Sequence, residues 1–340
     1  MKSRGSSGRL GPRTYHTMLP RYAADYRTLL WTFVLTPAAV ALAYARPDWA
    51  LWLCPINCYF GLACGVIAHN HNHCPTFSKK LINQIFANWI SIFYGYPTFA
   101  WIPTHNLNHH KFVNRVGDAT ITWRHTNEHV VLVAITYPFV SSYWQQYPTK
   151  AFISKARASN PKLFRTIVVQ WVCFVGAHLG LLSLAIALHG LGRGVLSWTL
   201  ACFVPAVFAL WTIMVFNYEM HVHTDPWSAH NHSRSWDGKI VNFLLFNNGL
   251  HGAHHENPGT HWSELWSAHD KIAPLIDPRL VERNVVWYFF RMYVLGTLST
   301  RFRSTQVGRA PFDGPSDEAN LASADVELGE AGTNAPMLQT

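Results

Sequence analysis

Charge is what this sequence has least of. Only 13% of its 340 residues are Asp, Glu, Lys or Arg, where a soluble domain carries about 25%. No carboxylate falls inside the four longest apolar runs, which removes the intramembrane acids that mark many ion pathways. Cysteine is also sparse. The six present lie mostly within apolar runs, form no CxxC pair and outline no disulfide framework; they read as small hydrophobes. No cleavable signal peptide is visible, because the first apolar run starts too late, is too long and lacks a small-residue cleavage site. The net charge of +9 does not take the form of a nucleic-acid patch. Lys2, Arg4, Arg9, Arg13, Arg21 and Arg27 precede the first apolar run as a juxtamembrane positive flank.

What is abundant is apolar and aromatic residues, 49% and 14% of the chain, together with 20 histidines. The apolar residues fall in runs over 28–45, 49–68, 166–189 and 195–216, each close to the ~20 residues that a spanning helix needs. Short turns, Arg46-Pro-Asp48 and 190–194, join them in pairs. Pro37 and Pro55 are tolerable in such helices, because neighbouring helices and polar side chains can satisfy the freed carbonyls. Two hairpins put both termini on one side. That side also carries Lys79, Lys80 and the basic stretch 149–165, so the positive-inside rule makes it cytoplasmic. The segment 81–102 is rich in aromatics but holds Asn83, Gln84 and Asn88; with 285–298 it reads as interfacial, and 129–147 as interfacial or buried. The expected fold is all-α: four transmembrane helices in two hairpins, interfacial helices, and a cytoplasmic helical cap holding a two-metal site. Residues 28–300 form this domain, between a basic, disordered flank at 1–27 and a disordered tail at 301–340.

The histidines cluster. His69 and His73, His105 and His109, and Asn217 and His221 are each spaced i, i+4; His251, His254 and His255 add i+3 and i+4, and His110 adjoins His109. On a helix such pairs share one face, so one turn presents two imidazoles to one cation. Two of the clusters end spans and two lie in segments that never cross, which places all four at one membrane face. Nine histidines exceed the four ligands that close a structural zinc site and suit two ions with open positions. Asn217 is a weak ligand, a holder of metal-bound water or a cap. His71 is out of phase with its neighbours. His223, His230 and His232 are either outer supports or solvated loop residues, and Asp118, Glu219, Asp237 and Glu256 are the carboxylates placed to orient ligands. His125, His129, His261 and His269 read as ordinary structural histidines, and His178, mid-span, as either a functional site or a neutral side chain bonded to a neighbouring helix.

The boxes His69–His73, His105–His110 and His251–His255, with Asn217-Tyr-Glu-Met-His221 on a late span, resemble the membrane fatty acid desaturase superfamily over about residues 28–300. That superfamily also holds alkane hydroxylases and carotenoid hydroxylases and ketolases. The resemblance implies two iron ions held by His69, His73, His105, His109, His110, His221, His251, His254 and His255, with Asn217 reaching a metal through water. It implies dioxygen, a lipid acyl substrate and desaturation of its chain. An unactivated methylene has neither an acidic proton nor a leaving group, so acid–base catalysis cannot touch it and a metal–oxygen oxidant is required. No HPGG-type haem motif of a fused cytochrome b5 is present, so electrons are expected from a separate ferredoxin- or cytochrome-type donor. Hydroxylation, ketolation and oxidative decarboxylation remain open as alternatives on the same fold, and a histidine-rich membrane metal transporter as one of another class. A bacterial cytoplasmic membrane is favoured over the endoplasmic reticulum as the location.

Overall fold

The computed structural model describes residues 19–313. Three helical runs are long and apolar enough to cross a membrane: α1 (Asp25–Ala45), α2 (Pro47–His73) and the 61-residue run Pro161–His221. That last run reverses. Gly190 adopts φ 73° and ψ 172°, and the rings of His178 and Trp198 lie only 6.1 Å apart, where a straight helix would separate them by about 30 Å. The run therefore has two limbs, 161–189 and 195–221.

The prolines are accommodated as the sequence suggests. A π-helical turn at Leu30–Leu35 precedes Pro37. Thr36 Oγ1 donates to Trp31 O at 2.7 Å, and Trp89 Nε1 donates to Thr32 O at 2.8 Å, so carbonyls left over by the irregular winding find partners. Close approach explains Gly65 of α2. A Cβ there would stand 2.4 Å from Ile213 Cδ1 and 2.7 Å from Tyr94, so the absence of a side chain lets α2 pack against the second limb of Pro161–His221.

Helix α3 (Lys80–Tyr94) buries Asn83, Phe86, Ala87, Ile90, Ser91 and Tyr94 at helical spacing. At about 1.5 Å per residue it is too short to span a bilayer. A helical segment α4 follows at 102–112, and α5 runs from Val131 to Ser159. It extends past the expected 129–147 segment into the basic stretch. Helices α6 (His251–Glu256), α7 (Leu265–Ile272) and α8 (Val285–Leu298) complete the cap. The departures from all-α among the described residues are a two-residue parallel pairing of Ser235–Trp236 with Val281–Glu282 and an isolated antiparallel bridge between Pro20 and Phe77.

The expected disordered flanks lie largely outside the described residues. The parts that are described are packed. Asp25 accepts from Thr28 Oγ1 and Trp262 Nε1, while Ser304, Val307 and Ala310 close against the cap. These residues have buried partners far along the chain, which composition alone does not reveal.

Candidate metal centre

The sequence-distant histidines meet. Ring nitrogens of His69, His73, His105, His110 and His254 all lie within 4.8 Å of one another, and those of His109, His221, His251 and His255 form a second such group. In the first group four Nε2 atoms make a closed ring: His69 to His105 2.9 Å, His105 to His110 3.0 Å, His110 to His254 3.1 Å and His254 to His69 3.1 Å. In the second, His109 to His221 is 3.1 Å, His221 to His251 2.9 Å and His251 to His255 3.1 Å.

These separations fit metal ligation better than hydrogen bonding. A ring nitrogen offers either one proton or one lone pair, yet each Nε2 of the ring faces two others. Nitrogens bonded at about 2.1 Å and at right angles around one ion lie about 3.0 Å apart, the spacing observed. The chemistry of the donors agrees: imidazole suits iron, copper, nickel or zinc. Each group thus has the spacing and donors to hold one ion.

Local winding decides which group each histidine joins. His69 and His73, on regular α-helix, share a group as their i, i+4 spacing predicts. His251 and His255 do the same in α6. The second box departs from the expectation: His105 and His109 fall in different groups, and His105 pairs with His110. Residues Ile102–His109 are π-helical, and the His110 N–H bonds to His105 O. A π-turn closes at i+5, so residues five apart share a face.

Outer contacts orient the second group. His109 Nδ1 lies 2.8 Å from Asp118 Oδ2, and Asp118 also accepts from Thr120 Oγ1 at 2.6 Å and from the Asn114 N–H at 2.8 Å. Burial pushes the Asp118 carboxyl up, but the His109 imidazole and these hydrogen bonds outweigh it and hold it below the ordinary carboxylate value. His221 Nδ1 donates to His232 O at 3.1 Å. With Nδ1 carrying the proton, each Nε2 lone pair is turned inward. Burial first, and then the neighbouring imidazoles, push His105, His110, His251, His254 and His255 well below the ordinary imidazole value. They are neutral, as metal ligation requires.

Asn114 is a positioning residue that sequence reading missed. Val113 and Asn114 have φ of 45° and 62°, and this left-handed pair turns the chain back onto the centre. The Asn114 side chain then donates to His221 O at 2.9 Å and accepts from the Thr122 N–H. An Asn at a left-handed position is the one signal available.

The remaining candidates separate. Asn217 stands in a cavity wall and donates to Tyr137 Oη at 2.8 Å. His71 turns away to Thr76 Oγ1, 3.0 Å distant. Of the four carboxylates expected to orient ligands, only Asp118 touches one; Glu256 holds His230, Asp237 approaches Arg283, and Glu219 joins His129, Tyr288 and Tyr293. His223 bonds Ser304 and Asn127 O, and His261 bonds Asp25. His178 donates to Ile92 O at 3.0 Å, which is the structural one of its two readings. His125 is exposed and His269 buried, both outside the two groups.

A cavity of about 430 Å³ opens beside the centre, with His69, His105 and His251 in its wall. Val66, Tyr94, Leu210 and Ile213 make one end apolar, and α5 forms another side. Imidazoles that can hold two metals therefore face a cleft suited to an apolar chain.

The sequence matches the fatty acid desaturase family over residues 47–297. No curated protein and no solved structure matches it. The matched stretch carries both imidazole groups and every residue lining the cavity. With those features in one continuous region covering most of the chain, the protein belongs to the fatty acid desaturase family of membrane oxidoreductases.

Proposed function

We propose that this chain is a dioxygen-dependent di-iron desaturase that inserts a double bond into the acyl chain of a lipid. One observation carries the reading: two groups of clustered imidazoles adjoin a largely apolar cavity, with His69, His105 and His251 in its wall. The first iron has His69, His73, His105, His110 and His254 as its ligands, and the second has His109, His221, His251 and His255. Asn217 sits beside them as the candidate for a contact through water. When bound, the iron pair supplies the dioxygen-derived oxidising power that an unactivated methylene demands.

The protein's own residues hold the ligands and the chain. Asp118 and the His232 carbonyl fix the tautomers of His109 and His221. The apolar lining binds methylenes at about 0.8 kcal/mol each and excludes water from the reacting segment. The overall reaction balances when the substrate loses two hydrogens, dioxygen takes up those two with two further electrons and two protons, and two waters leave. The electrons come from a separate ferredoxin- or cytochrome-type donor. The two limbs of Pro161–His221 give four spans in all, with both termini and the metals on the cytoplasmic face, most simply of a bacterial membrane.

The test is lipid product analysis by mass spectrometry in cells with and without the protein, with an iron count on purified material. Two irons per chain and a product lighter by two hydrogens are expected. A product that gains oxygen or loses carbon dioxide replaces desaturation with hydroxylation, ketolation or decarboxylation. Metal accumulation with no lipid change replaces the enzyme with a transporter.

A further inference from the structure

The side of the cavity formed by α5 has no part in the oxidation proposed above. Ser142, Gln145, Gln146, Thr149 and Lys150 line it, and their offsets of three and four put them on one face of the helix. The opposite faces of α5 expose Phe139, Tyr143 and Tyr147. The cavity runs along this helix. Near its start Tyr137 donates to Thr120 O and accepts from Asn217, and both partners are lining residues beside the imidazoles. From Ser142 to Lys150 the polar face then continues for about 12 Å.

Lys150 is the one residue of the lining that carries a fixed charge. Its Nζ donates to Gln146 Oε1 at 2.7 Å, which uses one of three ammonium protons. Among the described residues it belongs to no ion pair. Thr149 Oγ1 donates to Gln145 O and keeps lone pairs free. The cavity therefore has apolar residues and imidazoles in its wall and, on α5, a polar stretch with a single cation, beyond which Ile153 continues the lining.

We propose that Lys150, supported by Gln146 and Thr149, recognises a carboxylate at the head of the substrate chain and so sets which methylene lies against the imidazoles. The proposal rests on the reading that this cavity holds an acyl chain. One ammonium matches the single negative charge of a carboxylate; a lysine also binds phosphate as a point charge, and the titration below tells the two apart. Lys150 is a specificity residue here, remote from the reacting carbon.

Two measurements test it. The first is calorimetric titration of the iron-loaded protein in nanodiscs with palmitate, methyl palmitate and hexadecyl phosphate. Palmitate is expected to bind about tenfold more tightly than its ester. Lys150→Gln should erase that difference without changing ester affinity, and Lys150→Arg should restore it. Equal binding of acid and ester by the parent protein overturns carboxylate recognition and leaves the acyl reading standing. Tighter, Lys150-dependent binding of the phosphate overturns the carboxylate assignment. No binding by any of the three overturns this proposal and the acyl reading together.

The second measurement moves the cation. Gln146→Lys combined with Lys150→Gln shifts it four residues, about 6 Å, toward the metal end of α5. The oxidised carbon should move roughly five bonds toward the head. An unchanged position overturns the role of Lys150 in setting register.

Discussion

Two buried assemblies of histidine stand within a few residues of each other and are built on opposite rules. Around Glu219, polar partners complement one another: Tyr288 and Tyr293 donate to the carboxylate, His129 Nε2 lies 2.9 Å from it, and Ser304 Oγ joins His129 Nδ1 to His223 Nδ1. In the nine-histidine centre, by contrast, Nε2 atoms face other Nε2 atoms with no carboxylate among them. The first arrangement is complete as protein. The second brings together ring nitrogens with the spacing to hold a cation. Burial and histidine content do not separate the two assemblies, but what each ring nitrogen faces does.

If that contrast is right, the largest effect belongs to the centre. His254→Ala and His109→Ala each remove a ligand from a different group, so each variant should lose at least one iron and all measurable turnover. Membrane insertion should be unchanged, because the ligands lie at or beyond the ends of the spans. Full activity or a full iron complement in either variant breaks the contrast.

The next effect belongs to the Glu219 assembly and should appear in stability. His129→Ala leaves a buried carboxylate with two tyrosine partners and no imidazole, a loss of about 3 kcal/mol. Thermal unfolding in detergent should shift down by roughly 5–10 °C. Protein purified in the cold should still carry two irons. Loss of iron without loss of stability would move His129 into the metal site.

The contrast also shows what sequence could and could not say. The boxes were legible because α-helical spacing displays itself as i, i+4, and His69, His73, His251 and His255 follow it. The division of His105, His109 and His110 between two groups was not, since it depends on a π-helical stretch that no residue type announces. The long apolar helices were legible as composition. The Glu219 assembly was not, because His129 and Ser304 are 175 residues apart. The polar face of α5 was hidden for another reason: Ser142, Gln145 and Thr149 look like an ordinary solvated face until the cavity is seen beneath them.

The smallest effect sharpens the contrast most, because it concerns a histidine inside a box. His71 lies between two proposed ligands and is as buried as His69. Its Nδ1, however, faces the Thr76 hydroxyl at 3.0 Å and the Thr76 N–H at 3.3 Å, and its ring meets Phe86 edge-on. By the rule drawn from the two assemblies it is a structural side chain. His71→Ala should therefore cost about 1–2 kcal/mol of stability, the scale of one lost buried hydrogen-bond partner. Iron content should stay at two per chain and turnover within about twofold. Loss of an iron on this substitution would show that position within the box, and not what the nitrogen faces, makes a histidine a ligand.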